Sequence, residues 1–213
     1  MASSPSDPRT RPLRRDAQRN RTRIVEAAKG LFAEFGVRAT LDDVAVRAGV
    51  GVATVYRHFP NRDALLGEVF EERIDELAAV AEESLTNPDA WQGFVDFLYR
   101  LEETSAANRG LEQLVTQAES GDAHERLARA RERLAVPISA LVARAKEQGR
   151  LRSDFDPADL RMVHAMIAAA GRETHAMSRH LWRRYFVFVV DGLSTARSNI
   201  TETDVGPPPA PGR

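Results

Sequence analysis

The sequence contains no cysteine, so disulfide bonds and metal sites built on thiolate ligands are excluded. No apolar run approaches the ~20 residues that a helix needs to span a bilayer. The N-terminus carries proline and arginine where a signal peptide would be apolar. Lysine is almost absent: only Lys29 and Lys146 occur among 30 basic residues. These absences predict a cytoplasmic protein with no membrane partner.

Charge is distributed unevenly along the chain, although the net charge is only -1. Residues 9–62 hold 12 arginines and lysines against 5 aspartates and glutamates, a net of +7, whereas residues 63–213 have a net of -7. Such an asymmetry is expected when only one end of a protein meets phosphate groups. The pattern therefore favours a nucleic-acid contact confined to the N-terminal part.

Helix signals follow one another along nearly the whole chain. Proline suits the first helical position, so Asn87–Pro88 and Asp156–Pro157 each open a predicted helix. The apolar run Phe186–Val190 is also compatible with a strand, but a lone strand would have no partner, so we prefer a buried helix. We predict an all-α fold of about nine helices.

The most informative segment is residues 40–59, which predicts two short helices joined by a tight turn. Thr40 can cap the first helix, with Asp43 at its third position. Gly49 stands where the turn requires a positive φ, and Ala45 is small enough to let the helices cross closely. The positions that must be buried are apolar: Val44, Ala48, Val50 and Val55. The pattern indicates a helix-turn-helix whose second helix has the right size for a DNA major groove.

This segment resembles the TetR family of transcriptional regulators. The similarity is carried by LFAEFG at residues 31–36 and by TLDDVAVRAGVGVATVYRHFPNRDALL at residues 40–66, and it covers about residues 20–70. The resemblance implies a homodimer that binds a double-stranded DNA operator and is released from it by a small-molecule effector. It implies repression, although an activator or a helical small-molecule-binding module without repressor function remains the alternative.

Nine residues are predicted to contact DNA: Thr40, Gly51, Val52, Ala53, Thr54, Tyr56, Arg57, His58 and Arg62. Three of these depart from the family pattern: Gly51 replaces serine, Ala53 replaces glycine and Arg62 replaces lysine.

Their expected roles differ. Arg57 is the candidate for reading guanine O6 and N7, with a phosphate contact as the alternative. Val52, Ala53 and Thr54 should lie nearest the base edges, and Thr40 and Arg62 are expected to contact phosphate. The family implies that Tyr56 and His58 contact the DNA backbone. The alternative is that they pack in the protein core.

We predict four segments in the chain. Residues 1–15 form a disordered basic arm, which could enter the minor groove or be a solvated tail without function. Residues 16–62 form the three-helix DNA-binding domain, and residues 63–200 form a larger helical domain for ligand binding and dimerisation. Residues 201–213 form a disordered, proline-rich tail.

The sequence also suggests candidate ligand and dimer residues in the larger domain. Pockets in helical bundles lie between helices and are mostly apolar, with a few polar groups. The candidate ligand residues are Phe94, Phe97, Leu98, Tyr99, Leu101, Gln117, His164 and His175, with a satisfied core histidine as the alternative at His164. The candidate dimer residues are Met162, Met166, Ala169, Phe186, Val189, Val190 and Leu193, which could equally be core.

An enzyme is the main rival interpretation, and the sequence offers little for it. No two histidines are three or four residues apart, and neither a His-Glu-x-x-His nor a Gly-x-Ser-x-Gly motif occurs. We therefore expect no enzymatic activity, no metal and no cofactor. A helical module that had lost DNA binding would also lose the basic residues of the motif, and here they persist.

Overall fold

The computed structural model describes residues 10–108, 114, 121–174 and 181–196. In these residues the chain forms eight α-helices, one turn of 3-10 helix at Gly36–Arg38 and no strand. The helices are α1 (Thr10–Phe35), α2 (Leu41–Ala48), α3 (Val52–His58), α4 (Arg62–Ser84), α5 (Ala90–Ala107), α6 (Gly121–Glu147), α7 (Asp159–Thr174) and α8 (Trp182–Leu193). The all-α prediction is confirmed, and the run Phe186–Val190 lies within α8.

Two predictions differ from the structure or fall outside it. Helix α1 begins at Thr10, so residues 10–15 of the predicted arm are helical; Pro12 stands in the first turn, where no intrahelical N–H bond is lost. The predicted tail, residues 201–213, lies outside the described residues.

The chain divides into two compact units. The first unit comprises Met1–Leu77 with Ala107–Arg133, and the second comprises Ala78–Ala106 with Leu134–Arg213. Helices α4 and α6 therefore each contribute one end to the first unit and the other end to the second.

The first unit is built around the crossing of α1, α2 and α3. Large side chains with almost no exposed surface fill its centre, and they include Phe32, Phe59, Leu65 and Phe70. Leu114 and Leu127 close the same cluster. Burial of this apolar stripe, more than helix propensity, holds the two short helices in place.

The second unit packs α5 against its neighbours through aromatic rings. Phe94 lies between Trp91, at 5.9 Å between ring centroids, and Phe155, at 5.8 Å in an edge-to-face arrangement. Gly93 permits the close approach of the end of α4, because a Cβ atom there would lie 2.5 Å from the carbonyl oxygen of Ser84.

The first turn of α5 is completed by a side chain from the end of α6. Oε1 of Gln148 accepts hydrogen bonds from the backbone N–H groups of Ala90, at 2.8 Å, and Trp91, at 3.4 Å. The amide nitrogen of the same side chain donates to the carbonyl of Pro88 at 3.1 Å. Free N–H groups at a helix start need such partners.

None of the helices in the described part of the chain combines the length and apolar character that a membrane span requires. Over the same residues, no group of three or more histidine, aspartate or glutamate side chains could hold a metal ion.

Candidate functional site

The start of α2 is fixed by a reciprocal cap. The backbone N–H of Asp43 donates to Oγ1 of Thr40 at 3.1 Å, and the backbone N–H of Thr40 donates to Oδ2 of Asp43 at 3.0 Å. The hydroxyl of Thr40 also donates to that carboxylate, and these hydrogen bonds from Thr40 lower the pKa of Asp43. The predicted cap is therefore confirmed.

The turn between α2 and α3 has the predicted geometry. Gly49 adopts φ 62° and ψ 41°, in the left-handed region that favours glycine, and its N–H donates back into the last turn of α2. Gly51 precedes α3 with extended backbone and no side-chain cap, as expected where glycine replaces serine.

Two arginines bind backbone carbonyl groups on either side of α2. Arg23, on α1, donates from Nη2 to the carbonyls of Ala48, at 2.6 Å, and Gly49, at 3.3 Å. Arg62, at the start of α4, donates to the carbonyls of Ala39, at 3.2 Å, and Gly36, at 3.1 Å. The contacts of Arg23 span about 25 residues, so no local sequence signal indicates them.

Arg62 also contacts groups within the protein that its predicted role did not include. Its guanidinium lies 5.3 Å from the ring centroid of Phe32 and is partly buried, and this burial lowers its pKa. The contacts direct the side chain to the turn between α1 and α2, which favours a structural role over the predicted phosphate contact.

The remaining predicted DNA residues form one surface on α3. Val52, Ala53, Tyr56 and Arg57 are exposed, and Thr54 and His58 are half-buried. Val55 is fully buried, so this helix has one face in the core and the opposite face open. Nη2 of Arg57 lies 3.4 Å from Oγ1 of Thr54, which brings a guanine-reading candidate beside a base-edge candidate.

The end of α3 is electropositive. Burial lowers the pKa of His58, and the nearby cations of Arg21 and Arg57 lower it further. Arg21, on α1, places its guanidinium 4.7 Å from the ring centroid of Phe59, the residue that follows α3. Sequence reasoning did not single out Arg21. A negatively charged phosphate is the partner that this environment would attract.

The predicted ligand residues are not gathered at one opening. Phe94, Phe97, Leu98 and Leu101 are buried in the core of the second unit, and Gln117 and His175 lie outside the described residues. Tyr99 packs edge-to-face on Phe186 with 5.6 Å between ring centroids. A cavity of about 570 Å³ lies beside it, and its lining is mainly polar: Glu83, Ser84, Thr86, Asn87, Pro88, Asp96, Tyr99 and Arg100. Of the predicted ligand residues that the structure describes, Tyr99 alone lines it.

His164 has a buried acidic partner. Its Nδ1 atom lies 2.9 Å from Oε1 of Glu102, whose side chain is only 2% exposed. This geometry fits the alternative given in the sequence analysis, a core histidine whose ring nitrogen has a hydrogen-bond partner. Glu102 could not be predicted, because its helix position does not distinguish it from neighbouring exposed acids.

The predicted dimer residues fall into three groups by exposure. Met162 and Met166 are 54% and 55% exposed on α7, whereas Phe186 and Leu193 are buried in the second unit. The ring contacts of Phe186 with Trp182 and Tyr99 explain why that stripe of α8 faces inward. Ala169, Val189 and Val190 are half-buried. Val187 and Phe188, which were not predicted, are the apolar side chains that α8 exposes most.

Two family models match the chain. One, described as bacterial regulatory proteins of the tetR family, matches residues 24–69 and so contains α2 and α3. The other, described as the C-terminal domain of SbtR-like transcriptional regulators, matches residues 89–195. Together they cover both the helix-turn-helix and most of the second unit.

Individual proteins agree with the family models. The HTH-type transcriptional regulator SrpR of Pseudomonas putida is 31% identical over 144 residues, which cover 66% of this chain and 68% of SrpR. A TetR regulatory protein from Mycobacterium vanbaalenii is 29% identical, with a TM-score of 0.64 over 86% of this chain and all of that one.

A third protein, FadR from Bacillus subtilis solved with stearoyl-CoA, shares the fold at 16% identity. Its TM-score is 0.66 over 84% of this chain and 99% of its own. The capped helix-turn-helix, both family models and the match to SrpR lead to one conclusion: the chain belongs to the TetR family and is a DNA-binding transcriptional regulator.

Proposed function

We propose that the protein is a homodimeric repressor that acts in the cytoplasm, leaves its operator when a small-molecule effector binds, and catalyses no reaction. The observation that carries the proposal is the open face of α3, held at a fixed angle by the cap at Thr40, the left-handed Gly49 and the brace from Arg23. A short helix with one exposed face fits the major groove.

The chemistry of that face supports particular roles. Arg57 offers two parallel N–H donors that match guanine O6 and N7, and Val52 offers an apolar contact for a thymine methyl group. Tyr56 and His58 each carry a donor that can bind a phosphate at the edge of the groove. Base reading is thus assigned to few side chains, so we expect modest discrimination at most positions of the operator.

The exposed apolar side chains of α7 and α8 support the dimer. Met162, Met166, Val187 and Phe188 are each more than half exposed on two helices that pack together, and large exposed apolar patches mark interfaces. A two-fold dimer would present two copies of α3 to half-sites about one helical turn apart. Light scattering should give a dimer mass for the wild type and a monomer mass for Phe188→Glu.

The effector is proposed to bind within the helical second unit, since the family couples ligand and DNA in that way. Ligand coupling requires the effector to favour a form that matches the operator poorly. Stearoyl-CoA, seen in the fold relative, is a suitable first probe beside a set of apolar drugs. An effector should raise the melting temperature and release the DNA at the same concentration.

The decisive experiment is a gel shift with the intergenic DNA upstream of the protein's own gene, followed by footprinting. We expect a protected, near-palindromic site and binding that weakens steeply with salt. Equal affinity for this DNA and for an unrelated duplex of the same length would exclude a sequence-specific regulator of that promoter.

A further inference from the structure

A continuous chain of contacts in the first unit runs from α6 to the end of α3. It begins at Arg126, whose Nη2 atom donates to carboxylates of both Glu68 and Glu71 on α4, the latter at 2.7 Å. Arg133, seven residues further along α6, binds Glu71 and Asp75 instead. Only the first of these two arginines therefore contacts Glu68.

Glu68 is shared between two arginines. Its side chain is 15% exposed, and it accepts two hydrogen bonds from Arg21, from Nε at 3.1 Å and from Nη2 at 2.7 Å. A bidentate pair fixes the plane of a guanidinium as well as its position. Since Arg126 holds the same carboxylate, the orientation of Arg21 depends on both acceptor oxygens being kept in place.

Arg21 in turn touches the end of α3. Its guanidinium lies over the ring of Phe59, which is buried and whose backbone N–H donates to the carbonyl of Val55 at 2.8 Å. Phe59 directly follows His58, and Arg21 is one of the cations that acts on the His58 imidazole. The Arg21 guanidinium therefore packs on the residue that follows α3. Its position is fixed by Glu68 on α4, which Arg126 on α6 also binds.

We propose that Glu68 and Arg126 are positioning residues for operator recognition. They hold Arg21 over Phe59, which fixes the last turn of α3 and the His58 side chain in the geometry that the operator requires. Neither residue needs to touch DNA for this effect. The proposal rests on the proposed function only in assuming that α3 enters the operator.

The side-chain chemistry predicts a particular signature. Removing the Glu68 carboxylate frees the Arg21 cation, which remains available to any phosphate, so binding to unrelated DNA should not weaken. Binding to the operator should weaken, because the last turn of α3 loses its fixed position. A fall in the ratio of the two affinities therefore distinguishes positioning from a general loss of charge or stability.

The test compares three variants of the full chain: Glu68→Gln, Arg126→Gln and the matched control Arg133→Gln. Binding is measured by fluorescence anisotropy with the footprinted intergenic duplex and with an unrelated duplex of equal length. We expect the affinity ratio to fall about tenfold, or about 1.4 kcal/mol, for Glu68→Gln. It should fall several-fold for Arg126→Gln and stay unchanged for Arg133→Gln.

A second readout is the His58 ring signal in NMR spectra of the free protein. It should shift in Glu68→Gln and Arg126→Gln and stay in place in Arg133→Gln. Wild-type ratios in both test variants, or an equal fall in the control, would overturn the proposal. If circular dichroism shows that Glu68→Gln does not fold, Arg126→Gln and Arg21→Lys test the proposal instead. Arg21→Lys keeps the positive charge but loses the bidentate pair with Glu68.

Failure of this proposal and failure of the proposed function give different results. If the wild type does not prefer the intergenic duplex, the proposed repression of that promoter is wrong. The NMR comparison still tests the contact chain by itself, and unchanged His58 signals in all three variants would reject it.

Discussion

The two units of this protein differ in the side-chain contacts that fix their structure. In the first unit, charged and polar side chains bind backbone groups at defined points: Thr40 with Asp43 at one end of α2, and Arg23 at the other. In the second unit, rings and aliphatic side chains fill the interior, Gln148 binds backbone groups at the start of α5, and the buried acid Glu102 has His164 as a partner. Directional contacts fix a surface that must match DNA, whereas an apolar interior tolerates many sequences.

The largest effect should come from the polar pair of the second unit. Replacing His164 by leucine removes the imidazole partner from a nearly inaccessible carboxyl group, which should lower the free energy of unfolding by about 3 kcal/mol. The double variant with Glu102→Leu should recover most of this loss, because two apolar side chains need no polar partner. Urea unfolding measures both. A double variant as unstable as the single one would show that the pair is not the cause.

A second comparison is between Arg62, at the start of α4, and Arg57, on the exposed face of α3. Arg62→Ala should lower the free energy of unfolding by about 2 kcal/mol, because two backbone carbonyls lose a charged donor. The salt dependence of DNA binding should stay as it is. Arg57→Ala should leave stability unchanged, cost about 2 kcal/mol of operator binding and relax one base position. If Arg62→Ala instead flattens the salt slope, the side chain contacts phosphate as the sequence suggested.

The glycines of the turn offer a smaller contrast. Gly49→Ala places a Cβ in the left-handed region, 3.0 Å from Nη2 of Arg23, and should cost about 1–2 kcal/mol of stability. Gly51→Ser supplies the missing cap of α3 where a Cβ would have room, and should gain a few tenths of a kcal/mol. Thermal melts of the two variants should therefore move in opposite directions. Equal shifts would contradict the difference in backbone conformation.

The smallest expected effect is the pH dependence of DNA binding through His58. Burial and two cations keep the pKa of the free side chain below its usual 6.5, whereas a phosphate at the imidazole would raise it. Because the bound form then holds the proton more tightly, operator affinity should rise as the pH falls through this range, with uptake of a proton. His58→Asn should flatten the profile between pH 5 and pH 7.5. A slope that persists in this variant would place the titrating group elsewhere.

Much of the first unit could be predicted from the sequence because its signals are local. The cap at Thr40, the positive φ of Gly49 and the burial of Val55 each depend on residues within about a dozen positions. The same local signals predicted the all-α fold and the helical state of the run at residues 186–190.

The rest depends on distant contacts that no local pattern encodes. In the sequence, Arg23, Arg62 and Glu68 look like solvent-facing charges, because the groups that they bind lie 23 to 47 residues away. On α8, the choice between Phe186 inward and Phe188 outward follows from where α5 places Tyr99, and periodicity alone could not decide it. Partners across helices, more than the helices themselves, are what sequence reasoning missed.

The side chain of Gln148 has a consequence for the order of events during synthesis. Two N–H groups in the first turn of α5 find their acceptor 57 and 58 residues further along the chain. As the chain leaves the ribosome, these two N–H groups therefore lack this acceptor until the end of α6 has emerged. Contacts of this sequence separation form late, because the intervening segment must first be ordered. The second unit should accordingly gain its final protection from hydrogen exchange only after the whole of α6 has been translated.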